Sequence, residues 1–292
     1  MSTALIAGEV LYDIFENGNK IMGGAPFNVA WHLQGFGLNP LFISAVGQDD
    51  NGSEIQEAMQ AWGMTTQGIQ IVPDYPTGTV QIHFKNGTHD FDILENVAYD
   101  FIQTPSLDDG IENCKILYHG SLALRSPVTR ETITHLRQDT NLPVFIDVNL
   151  RAPFWNAQQI KEIIFGANWV KVNDEELLLL AENKGRDLVS CAQAFREAHQ
   201  IDVLIITRGE QGAFMASDND VASVKSAPVS NMIDTVGAGD GFSAMTIAGL
   251  LQGWEYQEIL ESASLFASKI CGIRGAINKD RSFYDDFMDE IH

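Results

Sequence analysis

The sequence predicts an α/β fold: a doubly wound, mostly parallel sheet with helices on both faces and a small antiparallel β lid. Two patterns point to the sheet. Short runs rich in Val and Ile alternate with helix-length amphipathic segments along most of the 292 residues. Those runs are nearly continuous in apolar residues, as suits strands covered on both faces. A third pattern points to the lid, because two hairpin-like segments interrupt the alternation.

In chain order the strand candidates are "TALIAGEV", "PLFISAVG", "KILYHGS", "PVFIDVNL", "NWVKVN" and "DVLIITRG". The helix candidates between them are "APFNVAWHLQGFG", "NGSEIQEAMQAWG", "VTRETITHLRQ", "DEELLLLAEN" and "LVSCAQAFREAH". Pro26 stands where a first helical turn tolerates proline. The first interruption, "LYDIFENGNKIMGG", carries an Asn17-Gly18 turn. In the second, Val80, Ile82 and Phe84 alternate with Gln81 and His83, Asn86-Gly87 turns, and Phe91 and Ile93 return. These lid segments, about 11–23 and 76–95, are expected to fold over the crevice of one domain spanning 1–292. Their exposed edges would suit a homodimer.

Net charge is −21 and the pI is near 4.5, which disfavours nucleic acid or an anionic membrane as partner. Cys114, Cys191 and Cys271 are widely spaced and form no CxxC, so buried thiols in a reducing compartment are expected. The first residues lack a basic segment followed by a long apolar run, and a cytoplasmic location is expected. Seven histidines form no HxH or HExxH pattern, so no transition-metal site is assigned.

The chemistry concentrates in "DTVGAGDGF", residues 234–242. It lacks the GK[ST] of a Walker loop, and Phe242 stands where a dinucleotide fingerprint needs its third glycine. What remains is glycine-rich backbone entering a helix near Gly239. The amides of Gly237, Ala238, Gly239 and Asp240 can then point at one anion, helped by the helix dipole. An acid in such a nest makes sense as a base, with Asp240 accepting a proton from an attacking hydroxyl. On this reading amides and a metal replace the missing lysine. A plain N-cap with turn glycines is the other reading of the same residues.

"DTVGAGD" resembles the C-terminal signature of the ribokinase-like, PfkB-type carbohydrate kinases. "GGAPFNVAWHLQGFG", residues 23–37, resembles their N-terminal signature, and "VGQDDNG" fits after it. The resemblance covers nearly the whole chain and is strongest to fructokinases. It implies ATP and Mg²⁺ as cofactors and assigns sugar contacts to Asp13, Gly23, Gly24 and Asn28. "NDEE" matches the family's NxxE motif; Asn173 and Glu176 would organise water around Mg²⁺, or simply cap a helix. "ITRGEQGAF" resembles a turn lining the ATP groove, with Thr207, Gly209 and Gly212 as contacts. "FDVNLRAPFW" resembles a stretch of fructokinases and 2-keto-3-deoxygluconate kinases; Asp147, Asn149 and Arg151 would face the substrate. Asp234 would help to bind a monovalent cation such as K⁺, with Gly275 and Asn278 on the adenine side.

The expected reaction is transfer of the γ-phosphate of ATP to a primary hydroxyl, with fructose as first choice. 2-Keto-3-deoxygluconate, ribose and nucleosides are alternatives. A non-catalytic sugar or nucleotide binder would have lost the base or the nest, and neither is missing.

Overall fold

The computed structural model describes residues 4–85, 88–106, 110–182, 187–218, 220–229 and 231–291. The first strand, β1 (Leu5–Ala7), ends at Gly8, and the chain turns into the hairpin β2 (Leu11–Phe15) and β3 (Lys20–Gly23). Helix α1 (Ala25–Gly35) then leads to β4 (Leu41–Gly47), α2 (Asp50–Ala61) and β5 (Ile69–Val72). The second interruption is β6 (Gly78–Lys85) with β7 (Thr88–Ile93). The alternation resumes with β8 (Leu117–His119), α3 (Pro127–Asp139), β9 (Val144–Asp147), α4 (Ala157–Ile164) and β10 (Trp169–Asn173). Next come α5 (Asp174–Leu180), α6 (Leu188–Ala198), β11 (Val203–Thr207), β12 (Ala213–Ala216) and β13 (Val221–Val224). Helices α7 (Ala238–Gln252), α8 (Tyr256–Ile270) and α9 (Arg281–Ile291) close the chain.

The main sheet has nine strands in the order β13-β12-β11-β10-β9-β8-β1-β4-β5. Its strands pair in parallel except at β11–β12 and β12–β13. Period-2 alternation splits the strand residues between two cores. Leu5, Leu41 and Ile43 pack with Ile133, Ile160, Leu177 and Phe195, so α3 to α6 cover one face. Ile6, Phe42 and Val46 pack with Phe27, Ile55, Met245, Phe266 and Phe287, so α1, α2 and α7 to α9 cover the other. The expected double winding is therefore present. Helices α1 and α7 are buried almost all round, as a helix between a sheet and a second helix layer must be. Adding a Cβ at Gly35 would place it 2.3 Å from the Tyr284 ring, which is how closely α9 approaches α1. Cys114, Cys191 and Cys271 are all buried.

The smaller sheet runs β3-β2-β6-β7. Each hairpin is antiparallel, and a parallel β2–β6 pair joins them. The Asn17-Gly18 turn is formed, with Gly18 at φ 82°. The turn expected at Asn86-Gly87, and the Phe84 side chain, lie outside what the structure describes. Asp49 fixes the root of the second hairpin: it caps α2 through the Gly52 amide at 2.8 Å and accepts the Thr77 hydroxyl at 2.6 Å.

Candidate active site

Sheet order reverses beside β1, whose neighbours are β4 and β8, so a crevice opens at the carboxyl ends of these strands. A cavity of about 420 Å³ occupies it. Its wall takes Glu9 after β1, Gly120 and Ser121 after β8, and Asp147 on β9. Lys171 and Asn173 on β10 and Thr207 on β11 continue it. The smaller sheet closes the top with Leu11, Asp13, Val80, Phe91 and Ile93.

Two glycines bring the first strand against α1. Gly8 has φ 145°, and a Cβ there would lie 2.6 Å from Pro26. Gly24, the N-cap of α1, has φ 108°, and its Cβ would lie 2.7 Å from the Glu9 carbonyl oxygen. This close approach places Asn28, on the first turn of α1, beside α7. A Cβ at Gly23 would lie 3.5 Å from Asp13 Oδ2 and 3.9 Å from Asn28 Oδ1, so these two polar groups flank one small space.

On the opposite side, Gly237 caps α7 in the left-handed region at φ 79°, and a Cβ there would lie 2.4 Å from Ala276. The turn therefore requires glycine. Asp240 falls on the first turn of α7, 9% exposed, and accepts from Asn28 Nδ2 at 2.7 Å. Burial pushes its carboxyl from 3.8 up to about 6, with Asp147 adding to the rise; the Asn28 amide, Lys171 and Arg151 oppose it. Of the four amides expected to form the nest, that of Ala238 donates to Thr235 O at 3.3 Å, and Ala238 does not line the cavity. Gly237, Gly239 and Asp240 do line it. First-turn amides have no intrahelical acceptor, which keeps this end suited to an anion.

A lysine from outside the glycine-rich stretch lines the cavity. Lys171 comes from β10, and a Cβ at Gly239 would lie 3.6 Å from its Nζ. Its ammonium is paired with Asp147 Oδ2 at 2.7 Å, and Ser243 Oγ donates to the same oxygen at 2.7 Å. Both charged side chains are buried, at 7% and 3% exposure. Asp147 is thus committed to Lys171 and α7 while still facing the cavity. Asn149 follows it at φ 40°, a left-handed conformation asparagine tolerates, and Arg151 beyond it is exposed; both line the cavity.

Asn173 and Glu176 form a reciprocal capping box at the start of α5. Asn173 Oδ1 accepts from Glu176 N at 2.8 Å, and Glu176 Oε2 accepts from Asn173 N at 2.9 Å. Glu176 Oε1 accepts from Leu150 N at 2.7 Å. The helix-cap reading of this motif is realised, and both residues also line the cavity. Thr207 lines it too, whereas Gly209 and Gly212 do not. At Gly212 a Cβ would lie 2.0 Å from Val224 O, so that glycine is needed for the approach of β13.

Asp234 and Asn278 also lie outside the lining. Asp234 holds its loop, accepting from Val236 N at 3.1 Å and Gly275 N at 3.3 Å. The Asn278 carbonyl accepts from Trp31 Nε1 at 2.7 Å, tying the C-terminal segment to α1. Glu9 and Lys171 are the two charged cavity residues that the motifs leave out. Each carries a signal nonetheless: an acid directly after the first strand, and a charge inside an apolar strand run.

Residues 8–282 match the pfkB family carbohydrate kinase profile. An uncharacterized sugar kinase from Pyrococcus horikoshii is 31% identical over 296 residues, covering 94% of this chain and 91% of that protein. Its ATP complex superposes with a TM-score of 0.81 at 29% identity, over 94% of this chain and 93% of the other. A Salmonella typhimurium fructokinase is 26% identical over 258 residues, 84% of this chain and 83% of its own length. An ATP-bound Xylella fastidiosa fructokinase shares the fold at 20% identity, with a TM-score of 0.84 over 99% and 98% of the two chains. With a large, mostly parallel sheet, a crevice and a smaller sheet of this form and a profile match across nearly its whole length, the chain belongs to the pfkB family of carbohydrate kinases.

Proposed function

We propose that the protein transfers the γ-phosphate of ATP to the primary hydroxyl of a neutral sugar, with fructose to fructose 6-phosphate as the preferred reaction. One observation carries the reading. Asp240 stands buried at a glycine-opened helix start, held by Asn28, and lines one cavity with Asp13 and Gly24 and with the strand-end residues Asn173 and Thr207. The sugar binds under the smaller sheet on Asp13, Gly23, Gly24 and Asn28. Asp240 accepts the hydroxyl proton, the sugar oxygen forms its bond to the γ-phosphorus, and the bond to the β-phosphate oxygen breaks to release ADP. The amides of Gly237 and Gly239 hold the phosphoryl oxygens in line. The four-stranded sheet acts as the lid of a single catalytic unit, excluding water that would otherwise take the phosphate.

Mg²⁺ would neutralise charge on the phosphates. Among the described residues no three His, Cys, Asp or Glu side chains converge into a cage, and Glu176 is occupied by backbone amides. This suits an ion that keeps its waters and phosphate oxygens, with Asn173 and Glu176 orienting that water. A K⁺ ion held near Asp234 would reinforce the same anion site.

A carboxylated sugar acid fits less well. Glu9, Asp13 and Asp240 all face the cavity, Lys171 is tied to Asp147, and Arg151 is left to meet a substrate carboxylate. The test is ADP release with ATP and Mg²⁺ against fructose, glucose, ribose, 2-keto-3-deoxygluconate and adenosine. Fructose giving the highest kcat/KM supports the assignment; a higher value for another member removes fructose and keeps the kinase.

A further inference from the structure

Glu9 is 4% exposed and lines the cavity, yet its Oε2 is buried without a hydrogen-bond partner among the described residues. Such an orphaned acceptor in a folded protein calls for an explanation. Asn28 Oδ1 is in the same state while its amide nitrogen is committed to Asp240. Both residues line one cavity, near the helix turn that carries the candidate base, and each keeps an unused oxygen just behind its wall. The backbone also fixes Glu9 there, because Gly8 and Gly24 permit the close packing that holds this segment against α1.

We propose that Glu9 is a direct sugar-binding residue, its carboxyl turning to hydrogen-bond a substrate hydroxyl in the cavity and so helping to select a neutral polyol. The proposal rests on the reading that this cavity holds the sugar beside Asp240. Burial supports it by pushing the Glu9 carboxyl from 4.5 up to about 7; its own backbone amide, Arg151 and Arg125 oppose the rise and Asp240 adds to it. A carboxyl so placed can donate or accept toward a hydroxyl and gives no welcome to a substrate carboxylate. Tyr99 and Tyr118, whose hydroxyls are also buried, are the further titratable groups whose fields it meets.

The experiment is titration calorimetry and thermal melting of wild type, Glu9→Met and Glu9→Gln. Sugars are titrated alone, with a non-hydrolysable ATP analogue titrated separately. Methionine fills the space with no polar partner. It should raise the sugar Kd at least about tenfold, leave the analogue Kd within about twofold and not lower the Tm. Glutamine, with the same shape but an NH2 group in place of one oxygen, should fall between wild type and methionine. Sugar affinity within about twofold of wild type in Glu9→Met overturns the proposal. So does a fall in Tm with equal loss of both ligands, since that marks a structural residue. Should Glu9→Met not fold, wild-type sugar affinity in Glu9→Gln overturns it. Wild type binding ribose but not fructose removes the fructose assignment and leaves Glu9 tested on ribose. Wild type binding no sugar of the panel overturns both.

Discussion

Asp240→Asn separates catalysis from folding, because the structure gives the two effects opposite signs. As a base, Asp240 works ionised. With its carboxyl raised to about 6, wild-type kcat at saturating sugar should climb tenfold per pH unit below that value and level off above it. The rise also bears on stability. The folded state keeps a proton between pH 3.8 and about 6 that the unfolded chain gives up, so the contribution is full below 3.8 and lost as pH rises to about 6. Above that, the buried carboxylate opposes folding by about 3 kcal/mol. Asparagine cannot ionise and removes the penalty, less whatever the Asn28 contact loses. Calorimetry at pH 8 should therefore show a higher Tm for the variant. Stopped assays of ADP release should show kcat lower by roughly 10²–10⁴-fold, the range for a positioned acid or base. The acid limb of its pH profile should disappear. A variant retaining more than about a tenth of wild-type kcat, or a flat wild-type profile from pH 5 to 8, would refute the reasoning.

Three other perturbations follow from the same geometry. Gly237→Ala places a side chain on a left-handed residue 2.4 Å from Ala276. It should cost about 1–2 kcal/mol before the clash is counted and should raise the KM for ATP; unchanged nucleotide kinetics would detach this turn from phosphate binding. Lys171→Met strands a buried Asp147 and should lower stability in urea by about 3–5 kcal/mol, with Asp147→Asn in the same chain recovering much of it. Asp13, whose carboxyl burial raises to about 6 against the pull of Arg151, should bind sugar hydroxyls as the ionised acceptor. Asp13→Asn should thus raise the sugar KM about tenfold or more at pH 8 and leave the ATP KM alone, and wild-type sugar affinity should weaken as pH falls through about 6.

The parallel sheet was legible because its strands are covered on both faces, so apolar runs such as "DVLIITRG" have no other reading at that length. The hairpins were legible through alternation at Val80 and Ile82 and through Asn17-Gly18. The parallel β2–β6 seam was not, since register between segments far apart in sequence is set by the crevice they cover. In the site, Asp240 and Asn28 stand in motifs 212 positions apart, and no spacing rule predicts their 2.7 Å contact. Lys171 was hidden because a strand run is read for its apolar residues. Its charge is tolerated there through Asp147 and Ser243, which arrive from β9 and α7. The NxxE motif shows the limit from the other side: one pair of residues serves both as a helix cap and as cavity wall, and sequence spacing does not separate the two.

The central claim is transfer of phosphate to the primary hydroxyl that faces Asp240. Its most direct test is ³¹P NMR of the product formed from ATP and fructose labelled with ¹³C at C6 or, separately, at C1. A sugar phosphate with ³¹P–¹³C coupling is expected in the C6-labelled sample, with no coupling in the C1-labelled one. Coupling at C1 instead, or inorganic phosphate without any sugar ester, would contradict it.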